Sequence, residues 1–472
     1  MDERSPLIRQ FVARGRDRAK YARWQEQIAA TGYCTRPVRL TGRTIATDPG
    51  TGEQRLVYSS ANEPDGCLYT ACGTRRASRC QPCAYTYQWD AYHLVVAGLR
   101  GGKGVPATVK EHPTLLATFT APSFGHVHSR RETDAGKPRT CRPHEHRQHR
   151  LCPHGRRTSC YRTHRNNDPK LGEPLCSDCF RYDEAVLWNA LASQLWRWTP
   201  TYIARELARL TGIPVRRIPE RVRVSFVKVA EPQQRGAIHF HAVIRLDAPP
   251  NDEDTPGRPS AEFSIERLTE AVRAAVPKVR AKSPRGPDGR VYVAKWGEQL
   301  DVQPLYAGPS PSAEAVAGYV AKYATKEPEG FEALNRRITC EGDIEVLSVR
   351  EHIRRLVVTT WALGGQEEYA ALNLRLWAHQ LGFRGHWLTK SRRYSTTFAA
   401  LRQARRDHHR QRGSFEHEVV EEQHGIEQVC EWVFVGAGYR NHADAWLADS
   451  ARRSRQLGRE VLQEERARSR AA

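Results

Sequence analysis

Strict alternation of apolar and polar positions is clearest in two runs near the middle of the chain, RVRVSFVKVAE (221–231) and IHFHAVIRL (238–246). Side chains of a strand point alternately to its two faces, so each run predicts a strand. The intervening QQRGA predicts an antiparallel pair with its turn at Arg235–Gly236. PTLLATFTAPS (113–123) reads as a buried strand ending in a loop, and VYVAKWG (291–297) as another strand. Helical spacing appears in the polar stretch 1–30, in SRCQPCAYTYQWDAYHLVVAGL (78–99), in YDEAVLWNALASQLWRWTPTYIARELARL (182–210) and at 264–276. A further helix starts at Ser312 and Glu314. Residues 132–182 have no apolar periodicity and are rich in Arg, His, Pro and Cys; 248–263 and 283–289 read as loops. From 345 to 411 the chain reads as mostly helical and basic, and 413–472 as a charged tail of surface helix or disorder.

These elements predict an α+β fold with a central antiparallel sheet. The expected organisation is an N-terminal region (1–100), a sheet domain (110–330) interrupted by an insert (132–182), a helical basic region (340–412) and the charged tail (413–472). No run approaches 18 apolar residues, so no membrane-spanning helix is expected, and the charged start does not read as a secretory signal. A cytoplasmic location follows as the expectation.

The net charge is +21, with Arg outnumbering Lys 62 to 12. An excess of this size points to a polyanionic partner, most often nucleic acid, and guanidinium suits bidentate phosphate contacts. The segment FRGHWLTKSRRYSTTFAALRQARRDHHRQR interleaves bases with aromatics, so Arg384, Lys390, Arg392 and Arg393 are candidate DNA contacts, with base stacking on its Trp, Tyr and Phe. A solvated helix face is the plainer alternative.

In IHFHAVIRLD, Phe240, Ala242, Ile244 and Leu246 share the face suited to a core. His239 and His241 then lie side by side on the other face, spaced to share one divalent ion. Glu231 has the same parity across the turn and is the candidate third ligand, with Gln233 behind it; an oxygen beside two imidazoles suits Mg or Mn as well as Zn. A second His-x-His, His126 and His128 in GHVHSRR, lies in a loop and runs into basic residues, so phosphate contact or no role at all is expected there in preference to metal.

On the helix after Ser312, Tyr319, Lys322, Tyr323 and Lys326 follow the i, i+3, i+4, i+7 spacing and share one face. Val316, Ala317, Val320, Ala321 and Ala324 occupy other positions and can supply its packing. A buried aromatic stripe is the alternative, but two lysines flank these phenols. Adjacent ammonium groups stabilise both a phenolate nucleophile and a phosphate.

Twelve cysteines, ten of them between Cys34 and Cys179, suggest metal before disulfides. The first group offers Cys34, Cys67, Cys72, Cys80 and Cys83 for four places around a tetrahedral zinc. The second offers Cys152, Cys160, Cys176 and Cys179, with Cys141, His154 and His164 in reserve. Two structural zinc ions are therefore expected. Cys340 and Cys430 stand apart as packing residues.

HFHAV and YVAKYATK, in this order and about 80 residues apart, resemble the HUH endonuclease superfamily of rolling-circle replication initiators, and the paired tyrosines look like the two-tyrosine motif of phage gene A proteins. FTAPSFGHVH resembles the first motif of that group. CGTRRASRCQPC, DPKLGEPLCSDC, YDEAVLWNALASQLW and LGFRGHWLTKSRRYSTTF are similar to initiators of actinobacterial plasmids and integrative elements. The resemblance implies that 110–330 is an HUH endonuclease domain and that Cys34, Cys72, Cys80 and Cys83 are the first zinc set. It implies a tyrosine nick at the double-strand origin, a 5′-phosphotyrosine intermediate, a 3′-OH for a polymerase and strand rejoining at termination. The metal on His239 and His241 would polarise the scissile phosphate, with Tyr323 ranked first as nucleophile; in the two-tyrosine group both phenols can act in turn, and in some relatives a carboxylate stands in the place of Tyr319. Origin DNA, single- and double-stranded, is the implied partner. No G-x-x-x-x-G-K-[ST] loop is present, so unwinding is expected to fall to a host helicase. An HUH transposase or conjugative relaxase would use the same parts on other DNA, whereas a non-catalytic zinc-dependent DNA-binding regulator would need no Tyr/His constellation.

Overall fold

A computed structural model describes residues 6–133, 135–143, 151–249, 255–305, 312–327, 331–411 and 427–471. In chain order the elements begin with α1 (Pro6–Gly15), α2 (Arg18–Ala30), β1 (Val38–Thr47), β2 (Gln54–Ser59), β3 (Leu68–Thr70) and α3 (Gln81–Arg100). Next come β4 (Thr114–Phe119), β5 (Arg131–Glu132), β6 (Pro138–Arg139), α4 (Tyr182–Thr211), β7 (Arg223–Pro232), β8 (Ile238–Asp247) and α5 (Ile265–Ala275). They are followed by β9 (Ala281–Arg285), β10 (Val291–Ala294), β11 (Leu300–Leu305), α6 (Ala313–Thr325), α7 (Glu341–Glu345) and α8 (Glu351–Leu363). The last are β12 (Leu388–Lys390), α9 (Phe398–Gln411), β13 (Glu427–Ala437) and α10 (His442–Ala471). The architecture is α+β with antiparallel sheets. The chain forms two compact units, Met1–Gln88 with Leu401–Ala472, and Trp89–Ala400.

In the first unit β1 is the centre of a four-stranded sheet, flanked by β13 on one side and by β2 and β3 on the other. The described part of the charged tail therefore contains a strand as well as a helix. Residues 413–426 lie outside the described residues. Trp24, Ile28, Cys67, Tyr69 and Ala448 form a small core. Arg14 chelates Asp444 at 2.7 and 2.6 Å, bonds Asp65 at 2.9 Å and lies 5.0 Å from the Trp24 ring.

The second unit is built on a five-stranded sheet of order β11-β4-β8-β7-β12. Phe240, Ala242, Ile244 and Leu246 face a core made with Leu115, Ala117 and Phe119 of β4 and the Trp- and Leu-rich face of α4. Phe119 meets Trp196 edge-on at 5.4 Å, and Phe240 meets Trp296 at 5.6 Å. Pro304 fits in β11 because β11 is an edge strand, where a missing N–H leaves no ladder bond unmade. The strand within VYVAKWG, β10, pairs with β9 in a separate hairpin and does not join the central sheet.

The opposite face of β8 is not simply polar. Arg245 is completely buried and chelates Asp247 at 2.7 and 2.9 Å, while its remaining N–H groups reach the carbonyls of Gly98 and Tyr394. His112 Nδ1 meets the same Asp247 at 2.8 Å, so the buried Arg245–Asp247 charges are paired, while His112 Nε2 has no hydrogen-bond partner among the described residues. The stretch read as mostly helical, 345–411, holds α8 and α9 but also two 3-10 turns and β12, an edge strand of the central sheet.

Candidate functional site

The β7–β8 hairpin closes through Gln233 N–H to Ala237 O (2.9 Å) and Gly236 N–H to Gln233 O (2.8 Å), with Gly236 at φ +79°. This turn sets the register in which Glu231 lies directly opposite His239. Residues opposite one another in an antiparallel pair share a face, so Glu231, His239 and His241 lie together. The Glu231 carboxylate accepts from His241 Nε2 at 2.8 Å and from Lys326 Nζ at 2.5 Å. A carboxylate can only accept, so Nε2 is the donor in this bond. The hydroxyls of Thr118 (3.1 Å) and Tyr319 (3.4 Å) lie beside Nδ1 of His241.

Helix α6 brings the tyrosines to this face. Ser312 caps it, accepting from Ala315 N–H at 3.2 Å, and Val316, Ala317, Val320, Ala321 and Ala324 are its buried residues. Tyr323 stacks on His241 with ring centroids 4.4 Å apart, and Tyr319 meets Tyr323 at 4.6 Å and His241 at 5.3 Å, both edge-on. The helix ends at Thr325, and Lys326 turns into extended backbone (φ −64°, ψ 131°) with its ammonium 4.8 Å from the Tyr323 ring. Lys322 is exposed. Burial, followed by the neighbouring Tyr323, raises the Tyr319 phenol above the usual tyrosine range. Tyr319, Tyr323 and Lys326 thus meet His241 and Glu231, while Lys322 is not among the groups in contact.

His239 lines an open cleft of about 1180 Å³ together with Glu231, Arg235, Lys295 and Lys326. Burial, with Arg235, His241 and Lys326 adding to it, pushes its imidazole down to about 3, so His239 is neutral at ordinary pH. A neutral imidazole facing a carboxylate is a donor set that suits a divalent ion. The two imidazole centroids are 6.5 Å apart, and Glu231 already bonds His241 and Lys326; a cation held here would take over those bonds. Gln233, the other candidate oxygen, accepts from Arg235 at 2.9 Å.

Three Cys/His sets could hold structural metal ions such as zinc, each with its ligand atoms within 4.8 Å of one another. Cys34, Cys72, Cys80 and Cys83 form the first. The hydrogen bond with Cys34 leads the causes that bring the Cys72 thiol down to about 7. Cys67 is absent from this set and packs beside Trp24 and Tyr69. The insert differs from expectation, because Cys160 does not join Cys152, Cys176 and Cys179. His154 completes that set, its Nδ1 lying 3.2 Å from Cys179 Sγ. Cys160 belongs to a third set with Cys141, His164 and His128. His164 Nε2 lies 3.2 Å from His128 Nδ1, and its Nδ1 is held by Asp168 at 2.6 Å, the outer carboxylate that fixes a ligating tautomer. His128 is thus a metal-ligand candidate. Its distance from Cys160 in sequence hides the pairing, and the signal available was only that two spare histidines and Cys141 had no other use.

The basic segment is tied inward more than its composition suggests. Tyr394 is fully buried beneath the Arg245 guanidinium, 5.1 Å from it, and Trp387 packs against the core, so neither is free to stack on bases. Lys390 is half-buried and donates to Arg392 O at 2.8 Å; Arg384 donates to Ala371 O at 2.8 Å. Arg392 is exposed and Arg393 half-buried. Cys340 and Cys430 are exposed, which removes the packing role expected of them.

Among the described residues no helix is long and apolar enough to cross a membrane. A family model described as "Replication initiator protein, pSAM2" matches residues 20–453. The chain is 42% identical over 455 residues to a replication initiator protein of Streptomyces ambofaciens, covering 94% of this chain and 92% of that relative. No solved structure matches it.

Proposed function

Since the chain belongs to the replication initiator protein family, we propose that it starts rolling-circle replication by nicking one origin strand through a tyrosine of α6. The observation that carries this reading is the meeting of Tyr319 and Tyr323 with the His241–Glu231–Lys326 cluster on the face of β7 and β8. A phenolate oxygen attacks the scissile phosphorus, the bond to the 3′-oxygen breaks, and the 5′ phosphate stays on the tyrosine as an ester. The departing 3′-oxygen takes up a proton to become the 3′-OH that primes a polymerase, and at termination a 3′-OH attacks the ester, breaks its bond to the tyrosine oxygen and rejoins the strands as the phenol takes up the proton. This is the chemistry of an HUH endonuclease, and residues 110–330 are read as that domain.

Tyr323 is assigned the first attack and Tyr319 the second. Stacking on His241 fixes the Tyr323 ring, and the Lys326 ammonium stands where phenolate and phosphate charge develop. His241 Nδ1 orients the Tyr319 hydroxyl. His239, His241 and Glu231 would hold Mg or Mn, which when bound supplies Lewis-acid polarisation of the phosphate. The Cys/His sets would hold zinc that shapes DNA binding without entering the chemistry, and exposed Arg392 remains a candidate phosphate contact. A host helicase would unwind the duplex.

The test uses labelled single-stranded oligonucleotides tiling the element's own origin, with Mn or Mg and with EDTA, resolved on a denaturing gel. A metal-dependent covalent adduct that disappears in Tyr319→Phe/Tyr323→Phe is expected, and the single variants divide the two roles. Folded, DNA-binding protein that forms no adduct on any fragment would overturn the nicking reading in favour of a zinc-dependent DNA-binding regulator.

A further inference from the structure

Beside the cleft lined by His239, Glu231 and Lys326 lies a second recess of about 810 Å³, which shares Ser129, Arg130 and Gln299 with it. Its other lining residues include Arg131, Arg142 and Ser159. Arg131 and Arg142 form no side-chain hydrogen bond or ion pair with any described residue, in contrast to the basic segment, whose cations are partly tied to carbonyls. Ser159 is only 8% exposed, and its Oγ has no hydrogen-bond partner among the described residues. Burying a hydroxyl without a partner costs free energy, so an unfilled acceptor or donor position here is itself a sign of a ligand.

The recess is built by the third Cys/His set. Ser129 N–H lies 3.2 Å from Cys141 Sγ, and Arg142 and Cys160 exchange both backbone bonds at 2.8 and 2.9 Å. A metal there would therefore fix the two guanidiniums and the Ser159 hydroxyl relative to one another. Two guanidiniums without a partner among the described residues, a buried hydroxyl and continuity with the cleft match a tetrahedral dianionic or diester phosphate.

We propose that this recess is a phosphate subsite, taking a backbone phosphodiester of the same strand whose scissile phosphate lies in the adjoining His239–Glu231–Lys326 cleft. The proposal rests on the nicking reading for the identity of the strand. Its test is binding, measured in the Tyr319→Phe/Tyr323→Phe background so that no adduct forms. Fluorescence anisotropy with a single-stranded origin oligonucleotide, in buffer without added Mg or Mn, gives log K against log salt for that protein and for a version also carrying Arg131→Ala/Arg142→Ala. Loss of the one phosphate neutralised in the recess lowers the magnitude of the slope by about 0.7 for single-stranded DNA. Ser159→Val, which leaves both charges in place, is expected to weaken binding about tenfold with little change in slope. Zinc content equal to the parent's establishes that each variant is folded at the insert. An unchanged slope in the double-arginine variant, with zinc content preserved, overturns the subsite even if adducts form normally. A reduced slope with no adduct in the wild type leaves the subsite standing and removes the nicking reading alone.

Discussion

Lys228 sits on the core face of the sheet, between the parities of Phe226 and Ala230, where an ammonium has little to meet. Its Nζ donates to His386 O at 2.9 Å and lies 4.2 Å from the Phe240 ring, and burial pushes its pKa down to about 7. The unfolded chain holds this proton up to about pH 10.4, so between pH 7 and 10 the unfolded state binds more protons and stability falls as pH falls. The full effect, reached below pH 7, is at most about 5 kcal/mol. Lys228→Met is expected to raise stability at pH 7 and to match the wild type near pH 10.5. Urea unfolding of both proteins at pH 7.5 and 9.5 checks this; a difference that does not shrink with rising pH would count against it. The same strand shows what a sequence reveals at this scale. Parity placed Glu231, His239 and His241 on one face because the period of a strand is two and the turn is short. Parity could not reveal that Lys228 is buried and Arg245 doubly so, since which long cations are covered depends on what packs over the sheet from afar.

Elements whose own pattern decides them were legible: β4, β7, β8, α4, α5 and α6 each carry a clean period or a cap. β11 was missed because a six-residue edge strand with a proline has little signal, and β1 and β13 because their partners are distant, Thr44 lying opposite Cys430. The docking of the insert on the β7–β8 hairpin was equally invisible. Arg350 donates to the carbonyls of Leu171 (2.6 Å) and Gln234 (2.7 Å), pinning the 169–172 loop to the β7–β8 turn. Gly172 lies at φ +82°, and a Cβ there would stand 2.4 Å from the Gln234 carbonyl carbon. Gly155, in the same insert, has φ +68° but open space around a Cβ. Gly155→Ala is therefore expected to cost about 1 kcal/mol through backbone strain alone, and Gly172→Ala at least about 2 kcal/mol more through displaced backbone. Thermal unfolding of the two metal-loaded variants compares them directly. Equal losses would mean that the insert is not seated on the hairpin as described.

At the scale of the molecule, the question is how a polar insert with no apolar periodicity holds any fixed shape. The described residues of 132–182 bury few apolar side chains of their own, and stretches of this kind are ordered by metal ligation, with apparent binding free energies of about 10–16 kcal/mol per structural zinc. The spacing of the cysteines suggested one site in the insert, with Cys152 and Cys160 as joint ligands. The geometry separates them, placing Cys152 with His154, Cys176 and Cys179, and Cys160 with His128, Cys141 and His164. The two pairings differ in a countable way. With the first unit's cysteine set included, the folded chain is expected to carry three zinc ions, not two. Cys152→Ser and Cys160→Ser should each release one, and the double variant two, because the ligands belong to different ions. If both cysteines served one ion, either single variant would remove it and the double variant would remove nothing further. Native mass spectrometry of the four proteins reads these counts. One zinc retained in the double variant, where each single variant retains two, is the result the geometry requires, since only the Cys34–Cys72–Cys80–Cys83 set is then intact.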